Sequence, residues 1–266
     1  MNRTDQVESI LRGAYDLRVH AVPDSKVQRR FDALDTARYA HEYQLAGFTL
    51  VSGEYSTAPM AQALSRIYPG LKVAGAVVLD RAAGGVSVAA ARTAIDLGAK
   101  LVSMPYDAAA HSIAVRGRLS LEAQAVLEVV KDSGVALSTG GADFEDSLAV
   151  ARAAGQLEMG RLIYPAVYPV NIEKAKAIAD HGAVVEFAFA PCMPSSSAAT
   201  CDDIAEAVNA VGAARCIVSS GLGGWQDPSP AEGLRMAISA LLEAGLSEEQ
   251  VSVLVKANPL RLAGIA

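Results

Sequence analysis

The chain has 266 residues, of which 52% are hydrophobic and 20% charged, with a formal net charge of −6. That length buries a full core and suits one large α/β domain, whereas scattered Lys and Arg, paired only at Arg29–Arg30, exclude the basic-patch class of nucleic-acid binders. No stretch reaches the roughly 18 uninterrupted apolar residues a membrane helix needs.

The opening segment MNRTDQVESILRGAYD carries acidic residues and no apolar h-region, so it does not read as a signal peptide and a cytoplasmic location is expected. Apolar runs follow at 16–21, 47–53, 71–79, 99–105, 135–141, 161–167, 183–190 and 215–221. Continuous runs of this kind suit strands buried on both faces, as in a parallel sheet. Helix-like stretches lie between most of them. TARYAHEYQLAG sets Tyr39 and Tyr43 on one side, and SVAAARTAIDLG stops at Gly98. SLEAQAVLEVVKDSG opens on Ser120 as N-cap and closes at Gly134. IEKAKAIADHG and DDIAEAVNAVG repeat the plan. The tail adds two helices, the second opening on Ser247 with Glu249 and Gln250 behind it and stopping at Pro259.

Eight strands alternating with helices predict a single (β/α)8 TIM barrel with extra C-terminal helices, one domain over residues 1–266. Sites in such barrels stand at the C-terminal ends of the strands. Those positions hold Arg18, His20 and Asp24; Glu54 and Tyr55; Asp80; Tyr106 and Asp107, with His111 behind; Thr139 to Gly141; Tyr164 and Tyr168; Glu186, leading to Cys192; and Ser219 to Gly221. Cys192, Cys201 and Cys216 are odd in number, widely spaced and without a CxxC, and are read as three free thiols. Gly221 to Gly224 forms either a tight turn or a backbone cradle for an anion. Ser219–Ser220 lacks the GxSxG context of a serine hydrolase.

Five stretches, DLRVHAVPD, GEYSTA, LVSMPYDAAAH, STGGADFEDSLAVA and the segment from SSGLGGWQDP to NPLRLAGI, resemble the amidohydrolase superfamily over almost the whole chain. The resemblance implies a barrel with one or two divalent metals that activate water for hydrolysis. It also implies ligands this chain lacks. His-x-His on the first strand is Arg18-Val19-His20. Histidines expected at the ends of the second, fifth and sixth strands fall on Glu54, on Gly141 and on Tyr164-Pro165, and the aspartate closing the eighth falls on Gly221. A catalytic site of this type takes three or more His, Asp or Glu ligands, and the guanidinium of Arg18 is a fixed cation where a metal would sit.

The chain is therefore read as a divergent member with a degenerate metal site and no catalytic residue or cofactor assigned. Its expected role is that of a non-catalytic structural or regulatory subunit in a homo- or hetero-oligomer, partnering a catalytically competent paralogue. The surplus of Ala and Val fits a buried interface. Pocket candidates are Arg18, His20, Asp24, Glu54, Tyr106, His111 and Tyr164, with Arg18 expected to pair with Glu54 across the former metal space. Two alternatives stay open. One is an active hydrolase or lyase with one Zn, Mn or Fe ion rearranged around His20, Glu54 and His111. The other is a binding protein that holds a small anion on Arg18.

Overall fold

The computed structural model describes residues 2–106, 113–141 and 143–265. All eight expected strands form one parallel sheet. They are β1 (Tyr15–Val19), β2 (Gly47–Leu50), β3 (Lys72–Val78), β4 (Ala99–Ser103), β7 (Ala136–Ser138), β8 (Leu162–Pro165), β9 (Val184–Ala188) and β10 (Cys216–Ser219), hydrogen-bonded in that order. Between β4 and β7 lies a small antiparallel hairpin, β5 (Ala114–Val115) and β6 (Arg118–Leu119), which the apolar pattern did not foreshadow. The barrel closes where β10 returns beside β1: the Gly221 N–H donates to the Arg18 carbonyl at 3.1 Å and the His20 N–H to the Leu222 carbonyl at 3.0 Å.

Helices α1 (Arg3–Leu11), α2 (Ala33–Glu42), α3 (Ala58–Ile67), α4 (Val88–Asp96), α5 (Leu121–Ser133), α6 (Phe144–Gln156), α7 (Ile172–Ala179), α8 (Cys201–Val211) and α9 (Pro230–Glu243) pack outside the sheet. Their ends follow local chemistry. The Ser120 side chain accepts from the Ala123 N–H at 3.2 Å, and Gly134 ends α5 at φ 67°, a left-handed cap that glycine adopts without steric cost. Ser247 and Gln250 form a reciprocal capping box at the start of α10 (Glu248–Ser252).

Strand side chains alternate between two cores. Phe48, Val77, Val102, Leu137, Val185, Phe187 and Val218 face the helices, in one cluster with residues of α1 through α9. Tyr15, Leu17, Ala74, Ala76, Val78, Leu101, Ala136, Ile163, Val184 and Ile217 form the second cluster, which fills the barrel. Leu262 and Ala263 of α11 (Asn258–Ala263) join this inner core and plug its lower end.

Pro259 does not stop the last helix, contrary to expectation. The chain runs from α10 through a π-turn over Val253–Ala257 into α11, with Pro259 in the first turn of α11. A widened turn accommodates a ring that has no N–H and would clash with the preceding turn of a regular helix. Asn258 fixes this joint. Its side-chain N–H groups donate to the carbonyls of Ala213 (3.0 Å), Ala214 (3.2 Å) and Cys216 (2.8 Å), tying the tail to the entrance of β10. Replacing Asn258 by Ala leaves these carbonyls without their donor. The substitution is expected to destabilise the fold by about 2–3 kcal/mol, read as a lower urea midpoint at unchanged slope.

Candidate functional site

Above the apolar filling, the inner face of the barrel turns polar. The period-2 alternation that points Leu101, Ala136, Val184 and Ile217 inward also points Ser103, Ser138, Glu186 and Ser219 inward one step higher. All four are at most 2% exposed. On β1 the pairing with β2 shifts register between Asp16 and Val19. Such an irregularity re-aims a side chain, and here Arg18 turns into this polar layer.

Arg18 does not pair with Glu54, as the sequence suggested, but with Glu186. Its Nε donates to Glu186 Oε1 at 2.8 Å, and its Nη2 contacts Oε2, a bidentate clamp that reaches across β10. The Ser219 hydroxyl, on the intervening strand, donates to Glu186 Oε1 at 2.6 Å. The guanidinium carbon lies 4.8 Å from the centre of the Tyr106 ring. The Tyr106 backbone N–H donates to Asp80 Oδ1 at 2.9 Å. The Arg18 side chain is 12% exposed and that of Glu186 2%. Burial alone would raise the Glu186 pKa, yet the adjacent guanidinium holds it below the usual carboxylate range.

The remaining candidates divide. His20 is half-buried, with Nδ1 3.0 Å from the Val51 carbonyl, which makes Nδ1 the protonated nitrogen of the neutral ring. Burial, then the charges of Arg29 and Arg18, push its pKa down to about 4, so it is neutral at physiological pH. Asp24 is committed to its own loop. It accepts from the N–H groups of Lys26 and Val27, both at 2.9 Å, and pairs with Arg29 at 2.6 Å. Glu54 stands beyond β2, not on it, and accepts from the backbone N–H of Ser25 at 2.7 Å and from its hydroxyl. A carboxylate held in that loop is out of Arg18's hands. Tyr164 is not a pocket residue. Ile163 faces inward on β8, so Tyr164, its neighbour, faces outward into the helix layer at 4% exposure. His111, like Asp107, lies outside the described residues.

The donor set among the described residues does not fit a divalent cation. Among the described residues, no three His, Cys, Asp or Glu side chains converge. Gly141, where the resemblance implies a histidine, has no room for one: a Cβ there would meet Tyr106 Cδ1 at 2.7 Å and Cε1 at 2.9 Å. Tyr106 has taken that space. At Gly221, where the aspartate is implied, φ is +62° and a Cβ would stand 3.0 Å from that of Ala188. The turn reading of this segment also stands over the anion cradle, because Asp227 Oδ2 already accepts from the N–H groups of Gly223 (3.2 Å) and Gly224 (2.7 Å).

Two buried carboxyl groups shape the site, and sequence reasoning gave neither a role in it. Glu186 was legible as the lone charge in the apolar run AVVEFAFA. Asp16, on β1, is fully buried. Its Oδ1 accepts from the N–H groups of Ser220 (3.0 Å) and Arg18 (3.3 Å), while Oδ2 has no hydrogen-bond partner among the described residues. Burial outweighs these bonds and raises its pKa to about 7. An acidic residue inside an inward-packed strand was the available signal.

The chain belongs to the family of unknown function DUF6282, whose family model matches residues 13–186. No curated protein matches it. Among solved structures, an amidohydrolase from Pseudomonas aeruginosa is similar at 16% identity and a TM-score of 0.67, over 99% of this chain and 98% of that one. The probable dipeptidase PvdM from Pseudomonas aeruginosa is similar at 14% and 0.68, over 98% of each chain. A variant of the organophosphorus hydrolase from Deinococcus radiodurans is similar at 16% and 0.60, over 87% of this chain and 83% of that one. The fold is thus that of amidohydrolase and dipeptidase barrels, as the sequence predicts. No helix among the described residues is long and apolar enough to cross a membrane.

Two outcomes follow from this geometry. Arg18→Met strands Glu186 as a buried, unpaired carboxylate and is expected to cost about 3–5 kcal/mol, whereas Arg18→Met combined with Glu186→Leu recovers most of the loss; a double-mutant cycle in urea measures both. Asp16 has its pKa raised on folding, so the native state holds a proton that the unfolded chain gives up. Its contribution is most favourable below pH 4 and is lost as pH rises through about 7. The wild type should therefore lose up to about 4 kcal/mol relative to Asp16→Asn between pH 4 and pH 8, tested by paired unfolding curves across that range.

Proposed function

We propose that this chain is an amidohydrolase-like barrel that has exchanged metal-dependent hydrolysis for a structural or regulatory role beside a metal-competent relative. The observation that carries the reading is the Arg18–Glu186 clamp stacked on Tyr106, which fills the centre of the barrel mouth with an internal cation. A metal would have to displace that cation and strand it in a buried layer. Among the described residues, the groups that the two alternatives would use are already engaged. Glu54 is held by Ser25, and the charge of Arg18 is neutralised by Glu186, which leaves it no free charge for a small anion.

Support for a partner comes from the rim. Val22, Val27 and Trp225 are 41%, 45% and 57% exposed. They sit on the loops after β1 and β10, which the bridge between Arg29 and Gly224 joins. Apolar and aromatic side chains grouped this way are characteristic of protein interfaces. They are also at the end of the barrel where a catalytic relative carries its own site.

The test has two parts. Protein produced alone with Zn, Mn and Fe supplied, then dialysed, should hold less than about a tenth of an equivalent of metal by elemental analysis. Close to one equivalent, with hydrolysis of an amide, ester or lactone, overturns the reading. Co-expression with barrels of the same genome that keep His-x-His on their first strand should give a co-eluting complex with altered turnover. Separate elution from all of them overturns the partner role.

A further inference from the structure

Cys192 and Cys201 were read as unconnected free thiols, but the fold brings them together. Cys192 ends the 3-10 turn after β9, and Cys201 is the first residue of α8. The segment between them folds back on itself. The N–H groups of Ala198 and Ala199 both donate to the Pro191 carbonyl, at 2.9 and 3.2 Å, and those of Ser196 and Ser197 to the Met193 carbonyl, at 2.9 and 2.8 Å. The hydrogen bonds to Pro191 close the neck of the loop, and Cys192, next to Pro191, and Cys201, two residues after Ala199, flank that neck, close enough for their thiols to influence each other. Both are half-exposed, whereas Cys216 is fully buried on β10.

We propose that Cys192 and Cys201 form a reversible redox pair, a thiol–disulfide site that locks the loop following β9. The two cysteines have distinct parts. Cys201 stands at the N-terminal end of an 11-residue helix, where unpaired N–H groups favour a thiolate. The neighbouring Cys192 thiol holds the Cys201 pKa below the usual thiol range, against the opposing effect of burial. Cys201 is thus the attacking sulfur and Cys192 the resolving one. Cys216 is inert, its pKa pushed up to about 12 by burial.

With oxidised glutathione as oxidant, the Cys201 thiolate attacks one sulfur, the glutathione S–S bond breaks, and one glutathione thiolate leaves. Cys192 then attacks the mixed disulfide at the Cys201 sulfur and expels the second glutathione. The two protein thiol protons end on the two glutathione molecules, so two thiols and one disulfide become one disulfide and two thiols. The site adjoins the barrel mouth. Cys192 follows β9, the strand that carries Glu186, and the Tyr168 hydroxyl donates to the Ala188 carbonyl at 2.7 Å at the end of that strand.

The experiment equilibrates the reduced, full-length chain in glutathione buffers of stepped redox ratio, traps free thiols by alkylation, and maps them by peptide mass spectrometry. The expected result is a linked Cys192–Cys201 peptide with the loss of two hydrogens, Cys216 unmodified, and full reversal by dithiothreitol. In Cys201→Ser, Cys192 should instead react as an isolated thiol and stop at a mixed disulfide. Alkylation of both cysteines at the most oxidising ratio, or one glutathione retained on each, overturns the proposal.

Discussion

The ion pair between Arg18 and Glu186 is the constraint on which the rest of the barrel mouth depends. It joins β1 to β9 over the top of β10. A buried pair of this kind contributes little net stability against an apolar replacement, yet its rupture is costly because each half becomes an uncompensated charge. The surrounding residues are consequently supports. Ser219 takes a further lone pair of Glu186, Tyr106 covers the face of the guanidinium, and Asp80 holds the backbone of Tyr106. Any cation from solvent competes for Glu186 with one that is tethered to the same chain and never diluted.

The electrostatics of the mouth point the same way. Arg18 cancels Glu186, Arg29 cancels Asp24, and His20 is neutral because its burial beside two arginines disfavours the imidazolium. Asp16 takes up its proton near neutrality because burial penalises its charge more than two N–H groups relieve it. The described charged groups at the mouth are satisfied by one another, and Asp16 Oδ2 is the atom without a hydrogen-bond partner among the buried side chains described.

The sequence carried the shell of this molecule better than its centre. Strands buried on both faces leave long apolar runs, so all eight could be read in one dimension. The same continuity hides which residues face in. Tyr164 looked like a mouth residue because its run, RLIYPAV, has no polar alternation, and only the inward Ile163 beside it shows that the ring points to the helices. Arg18 was visible as a misplaced cation, but its partner was not. Glu54 is near in the chain and Glu186 far, and a contact that skips the strand between two others leaves no periodic trace. Cys192 and Cys201 were obscured in a similar way, by a loop whose closure depends on backbone hydrogen bonds to Pro191.

The residues at the centre also constrain one another. Tyr106 lies where a side chain on Gly141 would stand, at 2.7 Å from its Cβ position, so no side chain fits at 141 while the ring is in place. Removing the ring strips Arg18 of its stacking partner and opens a cavity in a buried layer. Removing Arg18 in turn strands Glu186. Each of these changes taken alone therefore gives a less stable protein, and steric and electrostatic coupling of this kind makes such changes non-additive. The two apolar cores and the Asn258 joint lie outside this layer and keep their own contacts. A barrel can keep its architecture while the side chains at its mouth differ, which fits a TM-score of 0.67 to an amidohydrolase at 16% identity.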